Sequence, residues 1–317
     1  MSTLTRPEKV ATDSPVRRTS PRRTGRRGAY KGLLFTLPFL IGFLVTYVLP
    51  IVYAFSESLH EKKSSGIGFG PAKVVFTGFA NFSAILADGT FWAGMLRTLL
   101  FGAAQITVML GISLLLALLL DGVAARAVRF FRAGLLVPYV VPGVVSTLIW
   151  LFLYSPTASP ILDLADRAGT HFSFFGGLNT YLSLGNLLTW QGLGFNMILI
   201  SASLQALPRE LYEAARLDGA KEWRIAWSVK VPNITGILVL TGMFSLIGRL
   251  QLFAEPLFLR YVAPESISTD FTPMLEIFDR AFKTGDYQYA AAESLVLAAV
   301  TGVLALVFYR VTNRKMS

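Results

Sequence analysis

The sequence predicts an all-α membrane protein with six transmembrane helices and both termini on the cytoplasmic side. Mean hydropathy is +0.55, and only 15% of the 317 residues are charged, whereas about a quarter are charged in ordinary soluble domains. The apolar residues are grouped into runs close to the ~20 residues that cross ~30 Å of hydrocarbon. Basic residues are concentrated in alternate connecting segments. These three observations support the prediction together.

The apolar runs place the six spans at residues 33–56, 97–120, 133–154, 184–207, 233–257 and 288–309. Each run must be helical in lipid, because every backbone polar group there needs a partner within the protein. Proline has no backbone N–H and clashes with the preceding turn of a helix. Pro38 and Pro50 in the first span, and Pro138 and Pro142 in the third, therefore predict kinks or local unwinding.

The distribution of basic residues predicts the orientation of the spans. With the N-terminus inside, 20 of the 29 Lys and Arg residues fall on the cytoplasmic side, as the positive-inside rule requires. They occupy the N-terminal arm, the segment with Arg126, Arg129 and Arg132, the segment 208–232, and the tail with Arg310, Arg314 and Lys315. The opposite loops, about 57–96, 155–183 and 258–287, are longer and carry few basic residues.

The chain is accordingly divided into an arm at 1–31, a six-span domain at 32–310 and a short cytoplasmic tail at 311–317. The arm holds nine basic residues among Pro, Ser and Thr, a composition that predicts disorder. Contact with nucleic acid or anionic lipid is an alternative for such an arm. Charge that sets the topology of the first span is the preferred interpretation, so we predict contact with membrane lipid and no nucleic-acid partner.

The sequence contains no recognisable catalytic or metal-binding pattern. It has no cysteine, no G-x-x-x-x-G-K-[ST] phosphate loop, no H-E-x-x-H and no G-x-S-x-G. His60 and His171 fall in predicted outer loops and are interpreted as solvated. Asp163 and Asp166 are interpreted as a helix surface or loop rim rather than a catalytic pair. We therefore predict a chain that is not an enzyme and holds no metal or cofactor of its own, which disfavours an intramembrane enzyme.

A sparse set of polar and aromatic residues lies within the predicted fourth and fifth spans. Such groups are costly at membrane depth and generally face a cavity or a partner. Aromatic planes beside amide and guanidinium donors suit a sugar. The candidates for a substrate pathway are Leu188, Trp190, Gln191, Phe195 and Asn196 in the fourth span, and Ser245, Arg249 and Leu252 on one face of the fifth. The alternative is hydrogen bonding between packed helices. Glu255 and Glu293 are interpreted as helix-end charges or ion-pair members.

A charged segment at about 208–232 has a pattern of its own. Glu213-Ala214-Ala215 is followed after three residues by Gly219, and after nine more by a Val-x-Val-Pro that ends at Pro232. This spacing resembles the EAA loop of the permease subunits of ABC importers. Val229 and Val231 replace the usual Ile and Leu and keep the apolar character.

Other segments resemble the maltose/lactose-type first permease of the carbohydrate branch of that family. These segments are Pro38–Pro50, Gly78–Phe82, Leu250–Pro256 and Gly285–Ala292, so the likeness covers about residues 30–315. Members often carry Gly-Gly-Pro after the fifth span, where this chain has Tyr261-Val-Ala-Pro-Glu265. The outer loop that contacts the binding protein is therefore divergent.

The resemblance implies a type I ABC importer permease in a bacterial inner membrane, carrying a di- or oligosaccharide. Implied partners are a second permease subunit, two ATPase subunits that hold ATP and Mg²⁺, and an extracytoplasmic sugar-binding protein. Implied contacts to the ATPase come from a coupling helix with Glu213, Ala214, Ala215, Asp218, Gly219 and Pro232. Import of a polyol or a glycerol phosphate ester is the first alternative. A secondary transporter or channel is the second, and would leave the EAA-like spacing unexplained.

Overall fold

The computed structural model describes residues 26–63, 73–121 and 125–316. Most of the predicted basic arm, residues 1–25, lies outside this description, and the first helix begins at Arg26. The chain divides into two units, at Met1–Val52 and Tyr53–Ser317. In the order of the chain, the helices are α1 Arg26–Phe43, α2 Leu49–Ser58, α3 Ala80–Ala87, α4 Gly89–Asp121, α5 Ala125–Val140, α6 Gly143–Tyr154, α7 Pro160–Arg167, α8 Leu178–Gln205, α9 Glu210–Leu217, α10 Glu222–Ile225, α11 Val231–Asn233, α12 Thr235–Leu250, α13 Ala254–Leu259, α14 Pro273–Asp279 and α15 Tyr287–Met316.

Three π-helical turns, each of five residues, interrupt or extend these helices. They lie at Leu44–Val48, Ala226–Lys230 and Arg280–Thr284. The first precedes Pro50, where the missing N–H disturbs the regular ladder of hydrogen bonds. Pro38 lies inside α1 without ending it. The predicted distortion is therefore found near Pro50, and the helix continues through Pro38.

The described residues contain enough long apolar helices for six crossings. Four segments qualify singly, at Leu34–Ser58, Gly89–Asp121, Leu178–Gln205 and Tyr287–Arg310. Two further crossings are bent helix pairs, Arg129–Val140 with Gly143–Tyr154 and Glu222–Asn233 with Thr235–Leu250. Among the described residues, the all-α prediction holds apart from one antiparallel ribbon, β1 His60–Lys63 with β2 Lys73–Phe76.

The bend between α5 and α6 is 93° and occurs at Val141 and Pro142. Proline removes a donor and pushes the preceding residue away from helical backbone angles. The predicted distortion of the third span is thus confirmed at Pro142 as a complete break, whereas α5 continues through Pro138. A second bend, of 65°, separates Glu222–Asn233 from α12.

The fifth span is shorter than the sequence predicts. Helix α12 ends at Leu250, and α13 is a separate short helix, so the predicted end at residue 257 is wrong. The chain stays apolar through Leu252 and Phe253, which is why hydropathy gave no sign of the break. The buried carbonyl of Leu252 accepts a hydrogen bond from the hydroxyl of Thr272 at 2.9 Å.

Helix α8 lies between α4 and α5 in the core of the second unit. Its close approach to α5 depends on Gly194, where a Cβ would overlap the backbone carbonyl of Leu135. Further along, Leu184, Leu187 and Leu188 are buried in a cluster that also includes Leu252. This packing holds in position the pathway candidates that lie on α8.

Candidate functional site

The segment selected by the EAA-like spacing is two helices joined by a turn. Helix α9, Glu210–Leu217, is followed by a turn at 218–221 and then by the helical stretch 222–233. The sequence analysis described one coupling helix, and the structure divides it at Gly219. Glu213 and Ala214 are exposed, Ala215 is half-buried, Asp218 caps the C-terminus of α9, and Pro232 is exposed in α11.

Gly219 makes the turn possible. Its φ is +80°, in the left-handed region, where residues with a Cβ are strained. The turn is closed by two backbone hydrogen bonds of 3.0 Å, from Gly219 N to Arg216 O and from Ala220 N to Ala215 O. A Cβ at Gly219 would meet no atom within 4 Å. The constraint on this position within the chain is therefore the backbone angle, not the available space.

The coupling segment, residues 208–232, presents apolar side chains among its charges. Leu217 is 89% exposed and Trp223 is 72% exposed, although both belong to a strongly charged stretch. The rings of Trp223 and Trp227 meet edge to face at 5.7 Å. Across the turn, Arg216 Nε lies 2.8 Å from Glu222 Oε1. Exposed aromatic rings beside charged groups are typical of a protein-binding surface.

A buried ion pair connects this segment to the bundle. Lys230 Nζ lies 2.5 Å from Asp121 Oδ2, and their side chains are only 9% and 18% exposed. The same ammonium lies 5.0 Å from the ring centroid of Tyr212. The Tyr212 hydroxyl donates to Leu204 O at 3.3 Å. We call Lys230, Asp121 and Tyr212 the coupling clamp, because they tie the segment to the ends of α4 and α8.

Arg249 is tied to neighbouring helices by hydrogen bonds. Its Nε donates to Gln105 Oε1 of α4 at 2.8 Å, and Gln105 Nε2 donates to Thr189 Oγ1 of α8 at 3.1 Å. Gly102 allows the close approach, since a Cβ there would lie 3.1 Å from Arg249 Cβ. The guanidinium therefore has a partner within the chain, as expected if Arg249 forms hydrogen bonds between packed helices.

Gln191 and Phe195 lie against the break between α5 and α6. Gln191 Nε2 reaches Gly143 O at 3.5 Å, and the Phe195 ring stacks on Tyr139 at 4.5 Å. Trp190 meets Trp150 edge to face at 5.8 Å. Thr189 and Gln191 are two residues apart on α8, about 200° around the helix. Arg249 is therefore linked through Gln105 to the side of α8 that carries Thr189, and Gln191 lies on the opposite side of that helix.

The remaining pathway candidates are mostly internal. Leu188 and Leu252 are buried in one cluster, and Asn196 donates to Gly192 O at 2.8 Å within α8. Ser245 is half-buried on α12. Leu252 lies beyond the end of α12, so it does not share a helical face with Ser245 and Arg249 as predicted. Whether any of the eight lines a pathway stays a prediction.

An ion-pair cluster that the sequence analysis largely missed lies near the start of α15. Arg280 pairs with Asp88 at 3.0 Å, Glu276 at 2.8 Å and Glu293 at 2.9 Å. Burial raises the pKa of Glu276, although the hydrogen bond and charge of Arg280 oppose this. The ion-pair interpretation of Glu293 is confirmed. Arg280 and Asp88 are 192 positions apart, so no local pattern could reveal their pairing.

The two histidines and the aspartate pair lie in the outer segments. His171 Nδ1 lies 2.8 Å from Asp166 Oδ1, and both side chains are more than half exposed. His60 Nδ1 contacts Ser56 O at 2.7 Å. Asp163 lies in the first turn of α7. Each of these residues is explained by local contacts or by its place in a helix.

Comparisons with known proteins agree with this architecture. A family model described as "Binding-protein-dependent transport system inner membrane component" matches residues 109–317. The chain is 32% identical over 200 residues to the sn-glycerol-3-phosphate transport system permease protein UgpA of Rhizobium meliloti (strain 1021), covering 62% of this chain and 67% of the relative. It is 28% identical over 308 residues to the diacetylchitobiose uptake system permease protein NgcF of Streptomyces coelicolor, covering 92% and 86%.

A solved structure shows the same fold. A chain of a bacterial alginate ABC transporter, crystallised in complex with an alginate pentasaccharide-bound periplasmic protein, aligns with a TM-score of 0.77 at 19% identity. The alignment covers 92% of this chain and 98% of that one. The relatives are transport components, which confirms the prediction that the chain is a transport subunit rather than an enzyme. The chain belongs to the family of binding-protein-dependent transport system inner membrane components.

Proposed function

We propose that this chain is one of two membrane subunits of an ATP-driven importer for a di- or oligosaccharide. The observation that carries the proposal is the exposed coupling segment, with its left-handed turn at Gly219 and its uncovered Trp223 and Trp227. A rigid, clamped segment of this kind can transmit the motion of a docked ATPase to the helices on both sides. Binding of ATP would then bias a two-state pathway.

The proposed assembly contains a second, homologous permease subunit and two ATPase subunits that hold ATP and Mg²⁺. An extracytoplasmic binding protein delivers the sugar. The chain lies in a bacterial inner membrane with its N-terminus and C-terminus in the cytoplasm, and the positive charge of the arm, the coupling segment and the tail supports that orientation. In this assembly Glu213, Ala214, Ala215, Asp218, Gly219 and Pro232 contact or shape the contact with the ATPase.

The names of the relatives support a glycan substrate more broadly than a phosphate ester. Diacetylchitobiose uptake and alginate import are named for proteins that align with about nine tenths of this chain. Import of a glycerol phosphate ester is the second candidate, favoured by the 32% identity to UgpA over a shorter region. A polyol is a related possibility within the same family.

Affinity purification of the tagged chain from its own membranes tests the assembly. We expect a second six-span permease and an ABC ATPase in the eluate, and an ATPase activity that the chain purified alone lacks. The complex is then reconstituted in proteoliposomes with the binding protein encoded nearby. Uptake of maltose, lactose, cellobiose or diacetylchitobiose, but not of sn-glycerol 3-phosphate, is expected. Uptake of the phosphate ester alone would favour the second candidate.

A further inference from the structure

A cavity of about 490 Å³ lies between the end of α6, the segment 172–174 and the first half of α8. Four aromatic rings border it, from Trp150, Tyr154, Phe172 and Phe174. Tyr154 lies 5.1 Å from Trp150 and 4.6 Å from Phe174, measured between ring centroids. Its volume is within the ordinary range for small-molecule sites. It therefore has the size and rigid aromatic walls of a ligand site.

Two amide side chains complete the lining. Asn186 Nδ2 donates to Tyr154 Oη at 2.8 Å, and the Tyr154 hydroxyl in turn donates to Ser183 O at 3.1 Å. Asn179 Nδ2 donates to Ser173 O at 2.8 Å. The bonds from Asn186 and Asn179 each use one donor of an amide that offers two donors and an acceptor. Both amides are exposed and held in position, so their remaining groups can bind a ligand.

The lining selects for a neutral molecule with apolar faces and several hydroxyl groups. Among the residues around the cavity there is no Lys, Arg, His, Asp or Glu. An anion would lose hydration there without gaining a cation, which is unfavourable. A pyranose ring presents flat C–H faces to aromatic rings and hydroxyls to amides. A neutral saccharide therefore fits this cavity better than a phosphate ester or a uronic acid.

The cavity adjoins the residues selected as pathway candidates. Asn186 and Trp190 are four residues apart on α8 and so share a face of the helix. Trp150, in the wall of the cavity, meets Trp190 at 5.8 Å. The Nε1 of Trp150 is buried and has no hydrogen-bond partner among the described residues. The cavity wall therefore contacts the predicted pathway through the indole rings of Trp150 and Trp190.

We propose that this cavity is an entry subsite for a neutral saccharide, which a sugar occupies before it reaches Trp190. The proposal rests on the proposed import function and adds a site on the extracytoplasmic half of the chain. Aromatic stacking on Trp150 and Phe172 provides affinity, and Asn186 and Asn179 orient the hydroxyl groups. The absence of charged side chains from the lining makes the subsite discriminate against anionic substrates.

Cysteine protection in the assembled transporter tests the subsite, because the chain has no cysteine of its own. Leu182 lines the cavity and is 60% exposed, whereas Leu164 on α7 is 69% exposed and does not line it. Leu182→Cys and Leu164→Cys are labelled with a small thiol reagent in proteoliposomes. We expect the transported neutral saccharide, supplied with its binding protein, to slow labelling at 182 and not at 164. sn-Glycerol 3-phosphate should slow neither.

Transport by Asn186→Leu provides the second readout. This change keeps the approximate size and removes the amide, so sugar uptake at fixed binding-protein concentration should fall about 3- to 10-fold, as expected for one lost hydrogen bond. Leu164→Ala should transport normally. If the saccharide is transported but labelling at 182 is unaffected and Asn186→Leu is normal, the subsite is overturned. If the parent transports no neutral saccharide, the carbohydrate function fails and the subsite fails with it.

Discussion

At Gly219 a single backbone angle shapes the coupling segment. The φ of +80° is accessible to glycine and costly for other residues. The open space around the position excludes a steric explanation within the chain for any effect of substitution. Glycine tolerates this angle without a Cβ penalty, so the residue type at this position agrees with the turn found there.

We expect Gly219→Val to impair coupling without preventing membrane insertion. A β-branched residue at this angle is strained by roughly 1–2 kcal/mol, and the strain shifts α9 relative to residues 222–233. Sugar uptake per ATP hydrolysed, measured in the assembled transporter, should fall. Gly219→Asn is the matched control, because asparagine tolerates the left-handed region, and it should retain more coupling. Normal uptake and normal sugar-stimulated ATPase in Gly219→Val would refute the role.

Arg249 shows what residue-level reasoning from sequence cannot supply. An arginine at membrane depth is expected to need a polar partner. The partner found here, Gln105, is 144 positions away in the sequence. No spacing rule connects them. Arg249 and Gln191 were both predicted to line a pathway, whereas the hydrogen bonds of Arg249 run to Gln105 on α4 and from there to Thr189, on the side of α8 away from Gln191.

We expect Gln105→Leu to reproduce much of the defect of Arg249→Ala. In Gln105→Leu the guanidinium loses a hydrogen-bond partner between helices, and in Arg249→Ala the Gln105 amide loses the same bond, so both variants should lower the melting temperature and sugar uptake. Thr189→Val, which removes the far end of the chain of hydrogen bonds, should have a smaller effect. A stable Gln105→Leu protein with normal uptake, beside an inactive Arg249→Ala, would instead assign Arg249 to the pathway.

At the scale of elements, the coupling clamp joins the coupling segment to two membrane helices. Lys230 is buried and Asp121 is half-buried, so removing one leaves a poorly solvated charge without compensation, at a cost of up to about 3–5 kcal/mol. Removing both is expected to cost much less. Comparing the single and double variants can therefore distinguish an effect on protein stability from an effect on coupling.

We therefore expect Lys230→Met to lower the melting temperature, and the double variant Lys230→Met/Asp121→Asn to recover it. The double variant should still import less sugar per ATP, since α4 is no longer tied to the coupling segment. Lys221→Met, at an exposed lysine in the same segment, controls for loss of charge. Wild-type uptake per ATP in the double variant would show that the clamp contributes stability alone.

Helix boundaries were predictable where a residue type restricts the backbone conformation. Pro142 predicted the break that separates α5 from α6, and the apolar runs located all six crossings. The end of α12 was not predictable, because Leu252 and Phe253 continue the apolar run and the break is stabilised by Thr272, twenty residues later. The clamp likewise joins residues 109 positions apart. Local chemistry is readable in sequence, and long-range pairing is not.

At the scale of the whole molecule, the proposed orientation places Leu217 and Leu164 on opposite sides of the membrane. Both side chains are exposed, at 89% and 69%. The chain has no cysteine, so a cysteine introduced at either position would be its only thiol. Their positions follow from alternate crossings and from the location of positive charge. The two sites therefore report topology with little structural cost.

We expect Leu164→Cys to react with a membrane-impermeant thiol reagent in spheroplasts and Leu217→Cys to react only after permeabilisation. The reagent cannot cross the bilayer, so the difference reports sidedness directly. Ser317→Cys in the tail should behave like Leu217→Cys. Labelling of position 217 in unpermeabilised spheroplasts would contradict the proposed orientation.

The paired rings of Trp223 and Trp227 give the molecule an optical property. The chain has five tryptophans, and these two stand exposed on the coupling segment. Their emission depends on contact with water, so a partner that covers them should change the wavelength and yield of fluorescence. Docking and release of that partner could then be timed by stopped-flow in the unlabelled protein, with Trp223→Phe/Trp227→Phe as the silent reference.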